Sequence, residues 1–358
     1  GKWEGIFYEL MASTRFLPNS PTLFNAGTGQ GTLSACFVLP VDDTMESIMQ
    51  AATASAMIQK YGGDPTVPSR EALVERFSFR DFPHFLQMWI WKNRFLREYE
   101  DFEYLSTAFA KDLVRQNIRY AEVFFSPVRF VDVGLQTPRL FESIRNGLSS
   151  APDVEVALIG DLVRDYGPDR AMATLKEFEE VKQHGVIGIG IGGSEHKFPP
   201  ELFTAVYREA REMGFRTTAH AGEAAGPPSV WGAIRELEAE RIGHGARSIE
   251  DESLVDYLAD HQIPLELCPL SNIKTAVFDL IENHPVRRLY DRGVLLTINT
   301  DDPMMFGNSL GDDYAALVEV HGFTRDEVKT LILNGVQASW LPSDRKERFV
   351  EEFTAEFE

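Results

Sequence analysis

The sequence predicts a (β/α)₈ barrel, and two patterns support that prediction. Short β-branched apolar runs alternate with amphipathic helical segments from about residue 61 onward, which is typical of a parallel sheet built from βα units. Several of the runs end directly on reactive side chains, as strands do in the active sites of such barrels. The chain has 358 residues, of which 44% are hydrophobic, so it can form one barrel of usual size and a smaller appendage.

Seven strands can be assigned in order along the chain. They are predicted at residues 118–125, 154–159, 186–191, 215–219, 241–243, 263–267 and 294–299. Between them, apolar residues at helical spacing predict helices, among them 171–183, 201–213 and 253–260. A barrel without exposed edges needs an eighth strand, so the first strand must come from residues 1–60. A short strand at 33–41 followed by a helix at 44–60 fits that place.

The composition favours a small neutral ligand. A formal net charge of −20 and a pI near 4.9 argue against nucleic acid or an anionic membrane as partner, because both bind clustered Lys and Arg. No apolar run approaches membrane-spanning length, and the first residues lack the pattern of a secretion signal. Cys36 and Cys268 are far apart in sequence, so we expect a reducing cytoplasm and no disulfide framework. The oligomeric state stays open.

Histidines and carboxylates follow three of the predicted strands. They are His220, Glu223, His244, Asp301 and Asp302. Because the carboxyl ends of barrel strands meet at one rim, we expect these side chains to lie together. Two imidazoles and three carboxylates in one place indicate a metal site with an acid/base group beside it. By contrast, three histidines have no carboxylate at ligand spacing, and we expect them at the surface: His261, His284 and His321.

Each of these residues has a functional interpretation and a structural one. His220 and Asp301 suit a metal, and Glu223 is close enough to His220 to exchange a proton at the same site. His244, between two glycines, could bind the metal or stabilise the attacking hydroxide. Asp301 and Asp302 would repel each other unless one met a cation and the other the substrate. The alternatives are histidines bonded to backbone carbonyls and an aspartate that caps the next helix.

Residues 188–193 match the dinucleotide fingerprint G-x-G-x-x-G, but their context argues against it. In a dinucleotide-binding fold the last glycine opens a helix that holds pyrophosphate, whereas a polar segment and two prolines follow here. We therefore interpret the run as a strand whose glycines let a flat ligand approach the backbone. Gly193 would offer its amide to that ligand.

These motifs, in this order, resemble the adenosine deaminase family of zinc aminohydrolases. The resemblance spans about residues 60–340 and is carried by the segments 121–127, 192–195, 220–223, 241–245, 268–272 and 300–303. It implies a TIM barrel of the metal-dependent hydrolase type with a Zn²⁺ cofactor. It also implies hydrolytic loss of ammonia from carbon 6 of adenosine or a related 6-aminopurine, which converts adenosine to inosine.

The resemblance further implies a role for each residue. It makes His220 and Asp301 zinc ligands, and Glu223 the proton donor to the purine ring. It makes His244 the group that orients the attacking hydroxide. The implied purine contacts are the Gly193 amide and Asp302. Proton donation by Glu223 agrees with the chemistry, because attack on an aromatic carbon is easier when the adjacent ring nitrogen is protonated.

The chain departs from the family pattern in its first part. Family members carry a His-x-His pair on the first strand, which supplies two further zinc ligands, and an acidic residue after it that contacts the sugar. This sequence contains no His-x-His. Residues 5–52 instead resemble an internal part of the large subunit of class II ribonucleotide reductase, in which Cys36 matches a redox cysteine. The partner cysteines of that family are missing, so reductase activity does not follow.

We therefore divide the chain into a foreign-looking segment, 1–59, in place of the first strand, and a deaminase-like barrel, 60–358. Without the His-x-His ligands we expect weak zinc binding and impaired turnover. Asp42 or Asp43 could approach the metal in their place. Two alternatives stay open: a barrel that binds purines without chemistry, and a deaminase of adenine or of a modified nucleoside.

Overall fold

The computed structural model describes residues 74–357, and Phe79–Glu358 form one compact unit. The strand and helix predicted at 33–41 and 44–60, together with Asp42 and Asp43, lie outside the described residues. Within the described part, a parallel sheet has its strands in the order of the sequence, each paired with the next. The strands are β1 (Tyr120–Phe125), β2 (Glu155–Val163), β3 (Val186–Gly192), β4 (Arg216–Ala221), β5 (Arg241–His244), β6 (Leu265–Leu267) and β7 (Leu296–Ile298).

Helices connect these strands and also precede β1 and follow β7. The described α-helices are α1 (Phe82–Asn93), α2 (Tyr99–Arg115), α3 (Val128–Val131), α4 (Thr137–Leu148), α5 (Gly167–Val181), α6 (Thr204–Glu212), α7 (Pro227–Arg235), α8 (Glu252–His261), α9 (Pro269–Lys274), α10 (Val286–Asp291), α11 (Pro303–Phe306), α12 (Leu310–Glu319), α13 (Arg325–Ala338) and α14 (Ser343–Phe357). None of these described helices is both long enough and apolar enough to cross a membrane.

The predicted elements agree with this order. All seven predicted strands are confirmed, and the largest difference is in β2, which runs to Val163 rather than to residue 159. The helices predicted at 171–183, 201–213 and 253–260 correspond to α5, α6 and α8. In the first two, short 3₁₀ turns form part of the predicted span.

Burial on both faces explains why the strands are continuous apolar runs. Ile189 and Ile191 on β3 are fully buried. Gly160 lets α5 pack directly on β2, because a Cβ at this position would lie 2.4 Å from the ring of Phe178. The core is therefore the layer between the sheet and its covering helices.

The sheet curls strongly, as a buried ion pair between distant strands shows. Arg241, at the start of β5, lies 2.6 Å from Glu122 of β1, and both side chains are less than a tenth exposed. The Arg241 guanidinium also lies 3.6 Å from the ring centroid of Trp340, after α13. β1 and β5 are not neighbours in the sheet, so their contact requires that the strands bend round a common axis. This α/β fold is of the barrel type, and an eighth strand that closes it stays a prediction.

Candidate active site

Three of the five reactive residues come together at the carboxyl ends of β4, β5 and β7. His244 Nε2 lies 3.6 Å from Glu223 Oε2 and 3.8 Å from Asp301 Oδ2. One ligand atom from each residue lies within 4.8 Å of the others, a spacing at which the three could hold a metal ion. The expectation that these strand ends bring their side chains to one place is met for this group.

His220 lies beside the group rather than within it. Its ring centroid is 5.2 Å from that of His244 and 5.4 Å from that of Phe124. Its Nδ1 is buried and has no hydrogen-bond partner among the described residues. The assignment of His220 and Asp301 as metal ligands therefore stays a prediction, since the group defined by distance contains Asp301 but has His244 and Glu223 in place of His220.

The chemistry of these side chains fits a divalent ion such as Zn²⁺. Imidazole nitrogens and carboxylate oxygens are ordinary zinc ligands. Glu223 and Asp301 lie close enough for the charge of Asp301 to raise the pKa of Glu223, and either a proton or a cation would relieve their repulsion. The unpartnered Nδ1 of His220 is a further donor close by.

The backbone is strained at two of these positions. His244 has φ 59° and Asp301 has φ 58°, in the left-handed region that non-glycine residues rarely adopt. Gly222 and Gly245, next to the site, have φ 73° and 69°. Such conformations cost about 1–3 kcal/mol each for non-glycine residues and persist where surrounding contacts fix them. From these two backbone positions the side chains of His244 and Asp301 meet 3.8 Å apart at the site.

Two buried charged residues position the turn after β4, and the sequence-based interpretation gave neither of them a role. The Glu195 carboxylate accepts hydrogen bonds from the backbone amides of Glu223, at 3.3 Å, and Ala225, at 2.8 Å. The Arg164 guanidinium donates to the carbonyl oxygen of His220, at 2.6 Å. Two features of the sequence point to these residues. Arg164 is a charged residue directly after a buried apolar run, and Glu195 belongs to the segment 192–195, which carries part of the family resemblance.

An amide links His244 to a second buried histidine. Asn272 Nδ2 donates to His244 Nδ1 at 3.1 Å, and Asn272 Oδ1 lies 3.2 Å from His284 Nε2. With the amide in this orientation, neutral His244 carries its proton on Nε2, the atom that faces Glu223 and Asp301. A protonated Nε2 suits hydrogen bonding to an attacking oxygen better than binding a metal. The expected surface position of His284 is wrong, because this residue is 3% exposed.

Burial sets the protonation states of the site. It raises the pKa of Glu223 well above its usual value, and the charges of Asp301 and Glu195 act in the same direction. Burial and the two neighbouring charges therefore favour the protonated form of Glu223. Burial and the charge of Asp302 raise the pKa of Asp301 to about 6. Burial lowers the pKa of both His220 and His244 to about 4, so both imidazoles are neutral near pH 7.

We expect the buried imidazoles of His220, His244 and His284 to stay neutral from about pH 7 to pH 5 in the metal-free protein. Burial lowers their pKa values to about 4, 4 and 3, below the ordinary value of about 6.5. Because the unfolded chain takes up these protons first, their contribution to stability is present above pH 6.5 and is lost as the pH falls towards 4. An NMR titration of the histidine rings measures this, and protonation of all three near pH 6.5 would contradict it.

Asp302 and Gly193 lie at the same rim. Asp302 Oδ1 lies 3.2 Å from Lys92 Nζ of α1. The Asp302 side chain makes no capping hydrogen bond to α11, so the alternative that this aspartate caps the next helix is wrong. Gly193 has φ 108°, and a Cβ there would collide with Asp165 at 2.2 Å, so only glycine fits. The preceding run is strand β3 and opens no helix, as its context predicted. Contacts of Asp302 and Gly193 with a purine stay predictions.

Comparison with known proteins identifies the class and then the family. A curled parallel sheet with histidines and carboxylates at the carboxyl ends of its strands is the arrangement of a barrel enzyme. The Adenosine deaminase family model matches residues 45–356, and the model for the ribonucleotide reductase all-alpha domain matches residues 2–31. The chain belongs to the adenosine deaminase family and is an adenosine-deaminase-like aminohydrolase. Both predicted resemblances are confirmed.

Curated relatives and solved structures agree with this family. The aminodeoxyfutalosine deaminase of Streptomyces avermitilis is 35% identical and aligns with 81% of this chain and 82% of its own length. The adenine deaminase of Chlorobium phaeobacteroides is 34% identical, with 82% and 88% covered. The structure of an adenine deaminase from Arthrobacter aurescens superposes with a TM-score of 0.81 at 29% identity, covering 85% of this chain and 94% of that one. A zinc-bound amidohydrolase from Burkholderia ambifaria gives 0.76 at 29% identity, with 86% of each chain covered.

Proposed function

We propose that this protein hydrolyses the amino group from carbon 6 of a 6-aminopurine. Oxygen from water adds to carbon 6, the carbon–nitrogen bond breaks, and ammonia leaves an oxopurine. The observation that carries the proposal is the buried carboxyl group of Glu223, which lies 3.6 Å from His244 Nε2, while Asp301 lies 3.8 Å from the same nitrogen. The curated relatives extend the candidate substrates from adenosine to adenine and aminodeoxyfutalosine.

The side chains divide the reaction between them. Glu223 donates its proton to the ring nitrogen next to carbon 6, which makes that carbon more electrophilic. The Nε2–H of His244 hydrogen bonds to the attacking oxygen and fixes its direction. His220 and Asp301 would hold the metal, which, when bound, lowers the pKa of water and so supplies the nucleophile near pH 7. The Gly193 amide and Asp302 would hold the purine ring.

We expect purified protein to contain less than one zinc ion per chain and to lose it readily to a chelator. Two protein ligands, His220 and Asp301, are fewer than the three that catalytic zinc sites have. Elemental analysis before and after chelation measures the content. One tightly held zinc per chain would contradict this expectation and would point to Asp42, Asp43 or His244 as replacement ligands.

Ammonia release at saturating zinc tests the proposed reaction. Adenine, adenosine and aminodeoxyfutalosine are compared at equal concentration, and we expect at least one of them to release ammonia with formation of the oxopurine. His244→Ala, which removes the hydrogen bond to the attacking oxygen, serves as the low-activity reference. Purine binding without any ammonia release would support the inert barrel instead. If the protein neither binds a purine nor releases ammonia, the proposal is overturned.

A further inference from the structure

Two buried polar atoms beside the candidate metal site face the same point next to β3. Asp161, on β2, is 8% exposed, and its Oδ1 has no hydrogen-bond partner in the described part of the chain. His220 Nδ1, on β4, is buried and equally unpartnered there. A buried polar atom without a partner is unfavourable, because burial removes its hydrogen bonds to water. A single group that bonds to both atoms would remove that cost.

Gly192 on β3 provides the place for such a group. A Cβ at Gly192 would lie 3.7 Å from Asp161 Oδ1 and 4.0 Å from His220 Nδ1. Apart from Gly192 and its two chain neighbours, no atom of residues 74–357 would lie nearer than 3.7 Å to this Cβ. A buried water molecule needs about two to four polar partners and room for one probe sphere. Because glycine carries no side chain, no described side chain occupies the point that both atoms approach, and a small polar group placed there would meet both.

Both ends of this connection are held in place. Ser126 Oγ donates to Asp161 Oδ2 at 2.5 Å, and the backbone amide of Gly192 also interacts with this carboxylate, so its position is fixed. On the other side, His220 pairs in register with Gly243 of β5. A Cβ at Gly243 would lie 3.4 Å from His220 Nδ1, so the second glycine leaves the ring uncrowded.

We propose that Asp161 is a positioning residue for His220 and acts through one water molecule at Gly192. The water donates to Asp161 Oδ1 and accepts the Nδ1–H of His220. The ring then keeps its proton on Nδ1 and presents an unprotonated Nε2 to the metal. This inference rests on the metal-binding role proposed for His220. Carboxylates that orient a metal-binding histidine fix its tautomer, and their loss lowers metal affinity about 10- to 100-fold.

The tautomer of His220 in the metal-free protein is the first test. Nitrogen-15 NMR of labelled histidines, with His220 assigned by the signal that disappears in His220→Gln, should show the proton on Nδ1. In Asp161→Ala and in Gly192→Ala, whose methyl group displaces the water, this preference should be lost. Gly335→Ala is the matched control, because a Cβ at this helical position meets no described atom within 4 Å.

Zinc affinity is the second test, and it is measured by competition with a chelator. We expect Asp161→Ala and Gly192→Ala to bind zinc about 10- to 100-fold more weakly than the parent protein, and Gly335→Ala to bind it unchanged. The zinc that His220→Gln still binds measures binding outside the site. Should Asp161→Ala fail to fold, Gly192→Ala decides alone, because its methyl group would make only ordinary van der Waals contacts.

The two tests separate this inference from the proposed function. The tautomer is read without metal or substrate, so it decides the role of Asp161 even if no purine is deaminated. An unchanged tautomer in both variants, or unchanged zinc affinity, overturns the inference. If either of these results is obtained and the parent protein still deaminates a purine, the proposed function stands and only the role of Asp161 is overturned.

Discussion

Glu223→Gln should remove nearly all deaminase activity and leave purine binding largely intact. The glutamine amide cannot donate a proton to the ring nitrogen, and loss of a general acid costs about 10²- to 10⁴-fold in rate. Proton donation matters in the transition state, so kcat should fall while the dissociation constant of the purine changes little. Steady-state kinetics at saturating zinc and a binding titration measure the two effects.

This loss should not come from unfolding. Glutamine has nearly the shape of glutamate, and the backbone amide of Glu223 would still donate to Glu195. The substitution also removes an acid that can ionise next to Asp301, so thermal stability should stay unchanged or rise. Glu250→Gln, at a partly exposed residue that pairs with Arg247, is the matched control and should keep full activity. Equal activity in Glu223→Gln and the parent protein would assign proton donation to another residue.

The strands of the barrel could be predicted from sequence because each is a short apolar run buried on both faces. β2 shows the limit of that rule. Asp161 interrupts its apolar pattern, and the predicted strand ends at residue 159, although the backbone continues to pair with β3 as far as Val163. A charged residue inside a buried strand is unfavourable in isolation, and Ser126 accounts for only one of its two oxygens. The error therefore lies at a position to which we assign a function.

The candidate site also has a part that the sequence predicts and a part that it does not. Glu223, His244 and Asp301 could be predicted because each follows a strand, and strand ends meet at one rim of the sheet. The residues that support them could not, since their partners are distant in sequence and leave no periodic signal. His284 illustrates this: no carboxylate stands at ligand spacing, and its partner is the amide of Asn272, which the fold brings into contact. Spacing along the chain therefore predicts which strand-end side chains lie together better than it predicts buried hydrogen bonds.

A chain in which residues 1–59 are replaced by a strand that carries His-x-His and a following acidic residue should bind zinc and turn over purine far better. The replacement supplies two imidazole ligands, which complete a catalytic site of three or more protein ligands. Zinc affinity and kcat/KM should each rise by orders of magnitude, because the remaining side chains already stand on elements fixed by the barrel. Metal titration and kinetics on the original and repaired proteins measure both changes.

The matched control is the same replacement with both histidines changed to alanine, which keeps the strand and removes the ligands. It should close the barrel equally well and gain little zinc affinity. If the control gains as much as the repaired chain, the strand itself rather than its histidine ligands limits the original protein. If the repaired chain binds zinc fully and deaminates adenine or aminodeoxyfutalosine but not adenosine, the proposed reaction stands and adenosine is excluded as the substrate. If it folds, binds zinc and releases ammonia from none of the three, the assignment of Glu223, His244 and Asp301 to purine deamination is wrong.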